Sequence, residues 1–434
     1  MLSVEGRRRI TTTKNWFRDM VTALSLTLAL LPTFWVVAFL SAEAGINPAV
    51  AFSASVMVAA LGIYLMGLSG RSLWAVAPDM TLMPWLIYGE IISRGRSCEG
   101  VLALALVAAL VSMFLIFAAK KIISREYIPL FPPAIAAGIT GGLGALLIWQ
   151  GLIQARLITA SSFNGIMLGN LAEPNPYDGL IGLAVTMALL LRGKEYALGA
   201  GALTVALISL WQGFWALPEK IWSLPTGIFS EAPQLDFADC LAGDLLGLLP
   251  ALILAQLILP RLMWQVFPTE RSPGTTARLN SCQLGLLGTS ALGNLWGAFP
   301  LNISAVTAVR EAVGSSSRRT ALPTALLLLS LIFFQPLVVA MADFPAIITP
   351  VLVGAGYVVL NRSFTCWANF APAERLTFMT ALWLLPLSHS LPLTLGVAVL
   401  MQVGGSLLNL RRQPSPNESL AILLSVAYLL WYGF

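Results

Sequence analysis

The chain has 434 residues, of which 57% are hydrophobic and only 10% charged, with a net charge of +5. A soluble domain carries about a quarter charged residues, and a bilayer-spanning helix needs roughly 20 mostly apolar residues. Stretches of that kind follow one another almost end to end, so the composition is that of an all-α polytopic membrane protein. Four dispersed cysteines (Cys98, Cys240, Cys282, Cys366) make no C-x-x-C pair and His389 is the one histidine, which argues against a zinc cluster or a disulfide framework. The basic residues are scattered through short loops, which argues against nucleic acid. No metal and no cofactor are expected. The basic start Met1–Lys14 runs into a long span rather than a short apolar core with a cleavage site, and it reads as retained.

In chain order the apolar spans fall at 17–40, 49–68, 76–92, 101–119, 129–153, 177–191, 197–214, 239–260, 283–297, 302–315, 320–341, 346–360, 373–388 and 390–409, followed by an apolar C-terminal helix at 418–434. Fourteen crossings from a cytoplasmic N-terminus put 21 of the 25 basic residues on the cytoplasmic side, leaving Arg94, Arg96, Arg156 and Lys220 outside. This is the asymmetry the positive-inside rule demands. The expected location is the plasma (inner) membrane.

Spans three and ten share an opening. The third reads Leu73-Trp74-Ala75-Val76-Ala77-Pro78-Asp79-Met80-Thr81 and the tenth Leu295-Trp296-Gly297-Ala298-Phe299-Pro300-Leu301-Asn302-Ile303-Ser304, the second copy starting 222 residues after the first. Seven spans separate the copies, so they enter the membrane from opposite sides, as in an inverted-topology repeat. Proline has no N–H and starts a helix better than it continues one. Each copy is therefore expected to run extended to mid-membrane and to begin a helix near Pro78 or Pro300. Non-helical backbone at that depth must be buried in protein or line a cavity, and helix N-termini aimed at the centre carry positive dipole ends. The expectation is a polar midplane pocket between two half-extended spans.

On these segments the chain resembles the nucleobase–ascorbate permease superfamily, in its adenine/guanine/hypoxanthine branch. The resemblance also rests on Ala59-Ala60-Leu61-Gly62, Leu65-Met66-Gly67-Leu68, Ala134-Ile135-Ala136-Ala137-Gly138-Ile139, Gln234-Leu235-Asp236-Phe237-Ala238, Arg319-Thr320-Ala321-Leu322 and Pro386-Leu387-Ser388-His389-Ser390. It implies a 7+7 inverted-repeat transporter. Residues 1–125 and 237–343 (spans 1–4 and 8–11) would form a core domain, residues 126–236 and 344–410 (spans 5–7 and 12–14) a gate domain, and 411–434 a terminal helix. The implied function is uptake of a purine-type base, coupled to a proton or another cation.

Ionisable groups inside a membrane are expensive and point to function. Asp79 can contact substrate or proton beside the pocket, or cap the third-span helix, or do both. The branch carries a base-contacting carboxylate in span eight, and gap-free counting from Gln234 puts Gln256 there, with Leu259 at a second acidic position. A glutamine amide offers a donor and an acceptor to a planar base but takes up no proton; the alternative is an interhelical hydrogen bond. The branch's tenth-span Glu falls on Val306 or Val309, and Glu311 reads as part of a solvated charge cluster with Arg310, Arg318 and Arg319. Asp239 and Asp244 read as dipole partners of a helix start, Glu90 as solvated near the outer surface, and Gly138, Gly141, Gly142 and Gly144 as close helix packing rather than a nucleotide loop.

The expected substrate-binding set is Asp79, Met80, Thr81, Gln256, Leu301, Asn302, Ile303 and Ser304, between spans 3, 8 and 10, with no catalytic residue. Expected partners are a small-molecule substrate, the lipid bilayer, a proton or sodium ion and, in a homodimer, a second copy. Two other readings stay open: an anion transporter of the related sulfate-permease architecture, since paired helix N-termini bind anions, and a transport-inactive homologue.

Overall fold

The computed structural model of the protein describes residues 4–69, 74–80, 82–122, 132–161, 165–194, 196–225, 232–240, 243–266, 275–304, 306–307, 318–408 and 426. The C-terminal apolar helix expected at 418–434 lies outside them apart from Val426, as do Thr81, Val309, Arg310 and Glu311.

Two long helices open the chain, α1 (Val4–Glu43) and α2 (Pro48–Ser69). The third span starts as strand β1 (Val76–Pro78) and becomes helical at α3 (Leu82–Pro84), which continues as a π-helix over Trp85–Ile92. Helix α4 (Cys98–Ile122) completes the fourth span. Then come α5 (Pro133–Gln154), a hairpin of β2 (Ile158–Ser161) and β3 (Gly165–Leu168), α6 (Pro174–Leu191) and α7 (Ala197–Gln212). In the eighth span the described helical segments are α8 (Phe237–Cys240), α9 (Gly243–Leu246) and, after a turn at 247–248, α10 (Leu249–Val266). The ninth is α11 (Thr275–Leu295), and the tenth opens as strand β4 (Leu301–Ile303). The last four are α12 (Ala321–Leu331) continued by α13 (Gln335–Ala340), then α14 (Thr349–Phe364), α15 (Pro372–Ser388) and α16 (Leu391–Leu408).

Each of the fourteen expected spans has described residues in helix or strand, the tenth only at 302–304 and 306–307. Among the described residues six helices are long and apolar enough to cross a membrane, with shorter apolar helices between them. The hairpin β2–β3, paired antiparallel from Ile158↔Leu168 to Ser161↔Gly165, is an addition that the apolar pattern did not announce.

The helices pack in two groups. Helix α2 lies against α1, α11 and α12, and α4 against α10 and α11. In the other group α5 lies against α14 and α15, while α6 packs on α7 and α14. The second group is held at very close range by small residues, the usual way helices associate where no hydrophobic force separates protein from lipid. A Cβ placed on Gly144 would lie 2.8 Å from both the Gly356 carbonyl and the Leu360 nitrogen, and one on Gly356 would lie 2.5 Å from the Gly144 carbonyl. The glycine run read in the sequence as close packing does that here.

Candidate substrate site at the strand crossing

The two broken spans meet. Strands β1 and β4 pair antiparallel in the register Val76↔Ile303, Ala77↔Asn302 and Pro78↔Leu301, and all six residues are buried. The pairing continues past both ends in a symmetrical way. The Asp79 N–H donates to the Pro300 carbonyl at 2.9 Å, and the Ser304 N–H donates to the Ala75 carbonyl at 2.8 Å. A two-stranded ribbon leaves outer edges to satisfy, and helix side chains do so. The Thr307 hydroxyl accepts from the Ala75 N–H at 3.0 Å, and the Ser290 hydroxyl from the Leu301 N–H at 3.0 Å. Trp74, two residues before the start of β1, stacks on Trp264 of α10 with ring centroids 5.1 Å apart. The buried N–H groups of Ala75, Asp79, Leu301 and Ser304 are thus all paired, as membrane depth requires.

Each strand ends in its own helix cap. Asp79 Oδ1 accepts from the Leu82 N–H at 3.3 Å, and Ser304 Oγ from the Val306 N–H at 3.3 Å. A carboxylate at such an end also complements the helix dipole. The other Asp79 oxygen, Oδ2, accepts from Asn302 Nδ2 at 2.8 Å, while Asn302 Oδ1 accepts from the Ile303 N–H at 2.7 Å. Asp79 and Asn302 are 5% and 8% exposed. A buried carboxylate is thereby fixed in one orientation by a cap on one oxygen and an amide on the other.

This pair faces a cavity of about 50 Å³. It is lined by Asp79, Asn302 and Ser304 with Met80 from the crossing, and by Leu143 and Leu147 of α5 with Val351 and Leu352 of α14. The cavity therefore lies between the two helix groups. A larger recess of about 740 Å³ lies at the β2–β3 hairpin, lined by Trp149, Arg156, Met167 and Glu173. It has neither a strand crossing nor a buried polar pair, so the smaller cavity is the better candidate site.

Of the expected residues, Asp79, Met80, Asn302, Ile303 and Ser304 line this cavity. Leu301 does not: it is buried in the ribbon with its N–H on Ser290. Thr81 lies outside the described residues. Gln256 stands apart. It is 4% exposed and turns toward α4, with Nε2 donating to the Ala105 carbonyl at 3.5 Å. Gln283 Nε2 donates to the Gln256 and Leu257 carbonyls at 3.3 and 2.8 Å, and Arg261 Nε donates to Gln283 Oε1 at 3.1 Å. The cavity is lined by residues of spans 1, 3, 5, 10 and 12, Thr33 of α1 among them.

One peripheral acid differs from expectation, and another, Asp239, sits in the first turn of α8 as expected. Glu90, read as solvated, is 0% exposed and pairs with Arg94 at 3.2 Å and Arg96 at 3.1 Å. The arginines fold back on it because they follow it at the end of the π-helix. Asp239 accepts a hydrogen bond from the Ser97 hydroxyl, which ties the start of span eight to that of span four. No group of three or more metal-ligating side chains occurs among the described residues.

No protein-family model matches the chain. Curated relatives do. The guanine/hypoxanthine permease PbuO of Bacillus subtilis is 25% identical over 330 residues, covering 74% of this chain and 75% of its own. The putative permease MJ0326 of Methanocaldococcus jannaschii is 26% identical over 396 residues, covering 87% and 86%. The adenine permease AdeQ of Escherichia coli is 24% identical over 305 residues, covering 68% and 66%. Over most of its length the chain is similar in sequence to nucleobase permeases. Among solved structures, the transmembrane domain of the cyanobacterial bicarbonate transporter BicA superposes with a TM-score of 0.57 at 16% identity, covering 89% of this chain and 96% of that one. The murine solute carrier 26 family member A9 anion transporter, in its inward-facing state, gives 0.54 at 13% identity, covering 90% and 68%. The fold is the 7+7 inverted repeat of those transporters, and the protein is an integral membrane protein.

Proposed function

We propose that the chain is a secondary-active transporter of a purine-type nucleobase, driven by a proton or another cation, in the plasma (inner) membrane with its N-terminus in the cytoplasm. The observation that carries this reading is the Asp79–Asn302 pair facing an apolar wall between the two helix groups. A purine is a flat ring with N–H donors and ring acceptors on its edge. A carboxylate takes the donors and a carboxamide takes or gives either kind, while Leu143, Leu147, Val351 and Leu352 suit the ring faces. Ligand pockets typically hold about 300 Å³ or more, well above the cavity described, so the base enters when the group carrying the crossing shifts against the group carrying α5 and α14. In this reading spans 1–4 and 8–11 are the moving core, spans 5–7 and 12–14 the gate, and the site opens alternately to each side.

The relatives named as guanine/hypoxanthine and adenine permeases support the substrate class. The fold alone would also suit an anion, but a carboxylate in the cavity opposes one. The test is uptake of labelled adenine, guanine, hypoxanthine and sulfate by cells expressing the chain, with and without a protonophore. Uptake of at least one base that Asp79→Ala abolishes is the expected result. Sulfate uptake without base uptake overturns the reading.

A further inference from the structure

Asp178 lies on α6, the one acidic residue of that helix, and is 0% exposed. Its Oδ1 accepts a hydrogen bond from Nε2 of Gln212, the last residue of α7, at 3.3 Å. The remaining oxygen of each group, Asp178 Oδ2 and Gln212 Oε1, is buried and has no hydrogen-bond partner among the described residues. These two orphans belong to planar groups already joined by one bond. An ionised carboxylate and an amide oxygen are both acceptors only, so with Asp178 charged neither orphan can satisfy the other. One proton on Oδ2 satisfies both: the O–H donates to Gln212 Oε1 while Nε2–H donates to Oδ1, closing an eight-membered acid–amide ring.

Among the described residues, the elements packed on α6 offer the carboxylate no buried counter-charge, and Glu219 and Lys220, in the segment after Gln212, are exposed. Helix α7 has no charged residue, and neither does the turn Pro345–Ile348 packed against α6. Helix α14 carries only Arg362, in its last turn. That is 16 residues beyond Ala346, whose methyl lies beside Gly179, a separation of about 24 Å at ~1.5 Å per residue. Asp343, Glu173 and Arg156, at the ends of neighbouring segments, are exposed.

We propose that Asp178, paired with Gln212, is the proton-binding site of the transport cycle, and that it holds its proton in the conformation described here. This rests on the transporter reading above and places the ion in the gate helices rather than in the substrate cavity. The step is a simple protonation, a carboxylate taking one H⁺ to become a carboxylic acid. Release follows when separation of the α6 and α7 ends lets water reach the carboxylate and stabilise its charge.

Infrared spectroscopy of the full chain reconstituted in liposomes tests the site without reference to any substrate. The wild type should show the C=O stretch of a protonated carboxyl group at neutral pH. That band should vanish in Asp178→Asn, whose side-chain amide can close the same ring and so preserve the fold, and should shift in Gln212→Leu. No such band, or one that Asp178→Asn leaves intact, overturns the proposal even if base uptake is normal. In uptake, Asp178→Asn should still admit base but lose the several-fold response to protonophore seen in the wild type. A response unchanged from wild type removes the coupling role. Absence of base uptake in the wild type would instead count against the substrate reading and leave the infrared result to decide this one.

Discussion

The strand crossing and the α5–α14 face meet across one cavity, yet they are built by opposite means. At the crossing the backbone is extended, helix-breaking prolines stand at both entrances, and order comes from hydrogen bonds: the ladder itself, Thr307 and Ser290 on the edges, and Asp79 with Asn302 between the strands. The α5–α14 face is regular helix on regular helix, and order comes from the absence of side chains, with Gly144 and Gly356 each lying against the other helix's backbone. The first construction orients donors and acceptors at fixed points. The second makes a smooth surface with few directional contacts. A transporter needs both, since a solute must be held by one side while the other slides past it.

If that contrast is right, adding bulk should damage the helical face most. Gly144→Leu drives a side chain into the Gly356 carbonyl and the Leu360 nitrogen, both backbone atoms that cannot rotate away. Overpacking of a close interface costs about 1–3 kcal/mol, occasionally more, and the upper end applies where backbone is the obstacle. Denaturation in detergent micelles should show a loss of about 3 kcal/mol or failure to accumulate in the membrane. Wild-type stability would mean that the two helices are further apart than described.

At the crossing, chemistry rather than bulk should matter. Asp79→Ala removes the cap of the third-span helix and leaves the Asn302 amide without its acceptor. A buried donor stranded in this way costs about 1–3 kcal/mol, so about 2 kcal/mol is expected, with uptake lost. Asp79→Asn removes the charge and has a single acceptor oxygen; turned to Asn302 it keeps that bond and gives up the Leu82 cap. Its stability should fall by about 1 kcal/mol, the usual cost of a lost cap. Base uptake by that variant then separates the need for a hydrogen-bonded pair from the need for a negative charge.

Sequence carried the crossing clearly and the far wall hardly at all. Proline has no N–H, and polar residues one or two positions after Pro78 and Pro300 have few roles at membrane depth other than capping and contact, so the chemistry of the broken spans was readable residue by residue. Gln256 was not, because α10 is apolar around most of its circumference and period alone does not say which side faces the cavity. Val351 and Leu352 are likewise ordinary span residues until α14 is seen lying on α5. Glu90 carried a signal that was passed over: Arg94 follows it by four residues, the spacing of a helical ion pair. Arg96 closes on it only through the turn after the π-helix. The β2–β3 hairpin hid in a loop whose strands are four residues each, too short for alternation to stand out.

A smaller change probes the ribbon edge. Thr307→Val keeps the shape of the side chain and deletes the acceptor of the Ala75 N–H. The N–H is buried with Ala75, which is 0% exposed, so its loss of a partner should cost about 1 kcal/mol. Because Ala75 also accepts from Ser304, the variant should weaken base uptake more than its stability loss alone explains, read as a higher KM at similar surface abundance.

The helical face supplies the matching control. Thr349 Oγ1 donates to the Gly151 carbonyl at 3.0 Å, joining α14 to α5. That carbonyl also accepts from the Ala155 N–H at the end of α5, so Thr349→Val strands no acceptor and leaves the glycine contacts untouched. Interhelical hydrogen bonds in membranes average about 0.6 kcal/mol, and a loss of that size, with base uptake close to wild type, is expected. The same deletion of a threonine hydroxyl would then cost more at Thr307, where it leaves a buried donor unpaired, than at Thr349, where close packing does the holding. Equal losses at the two positions would show that the helical face depends on directed bonds as much as the crossing does, and the contrast between an anchored side and a sliding side would have to be given up.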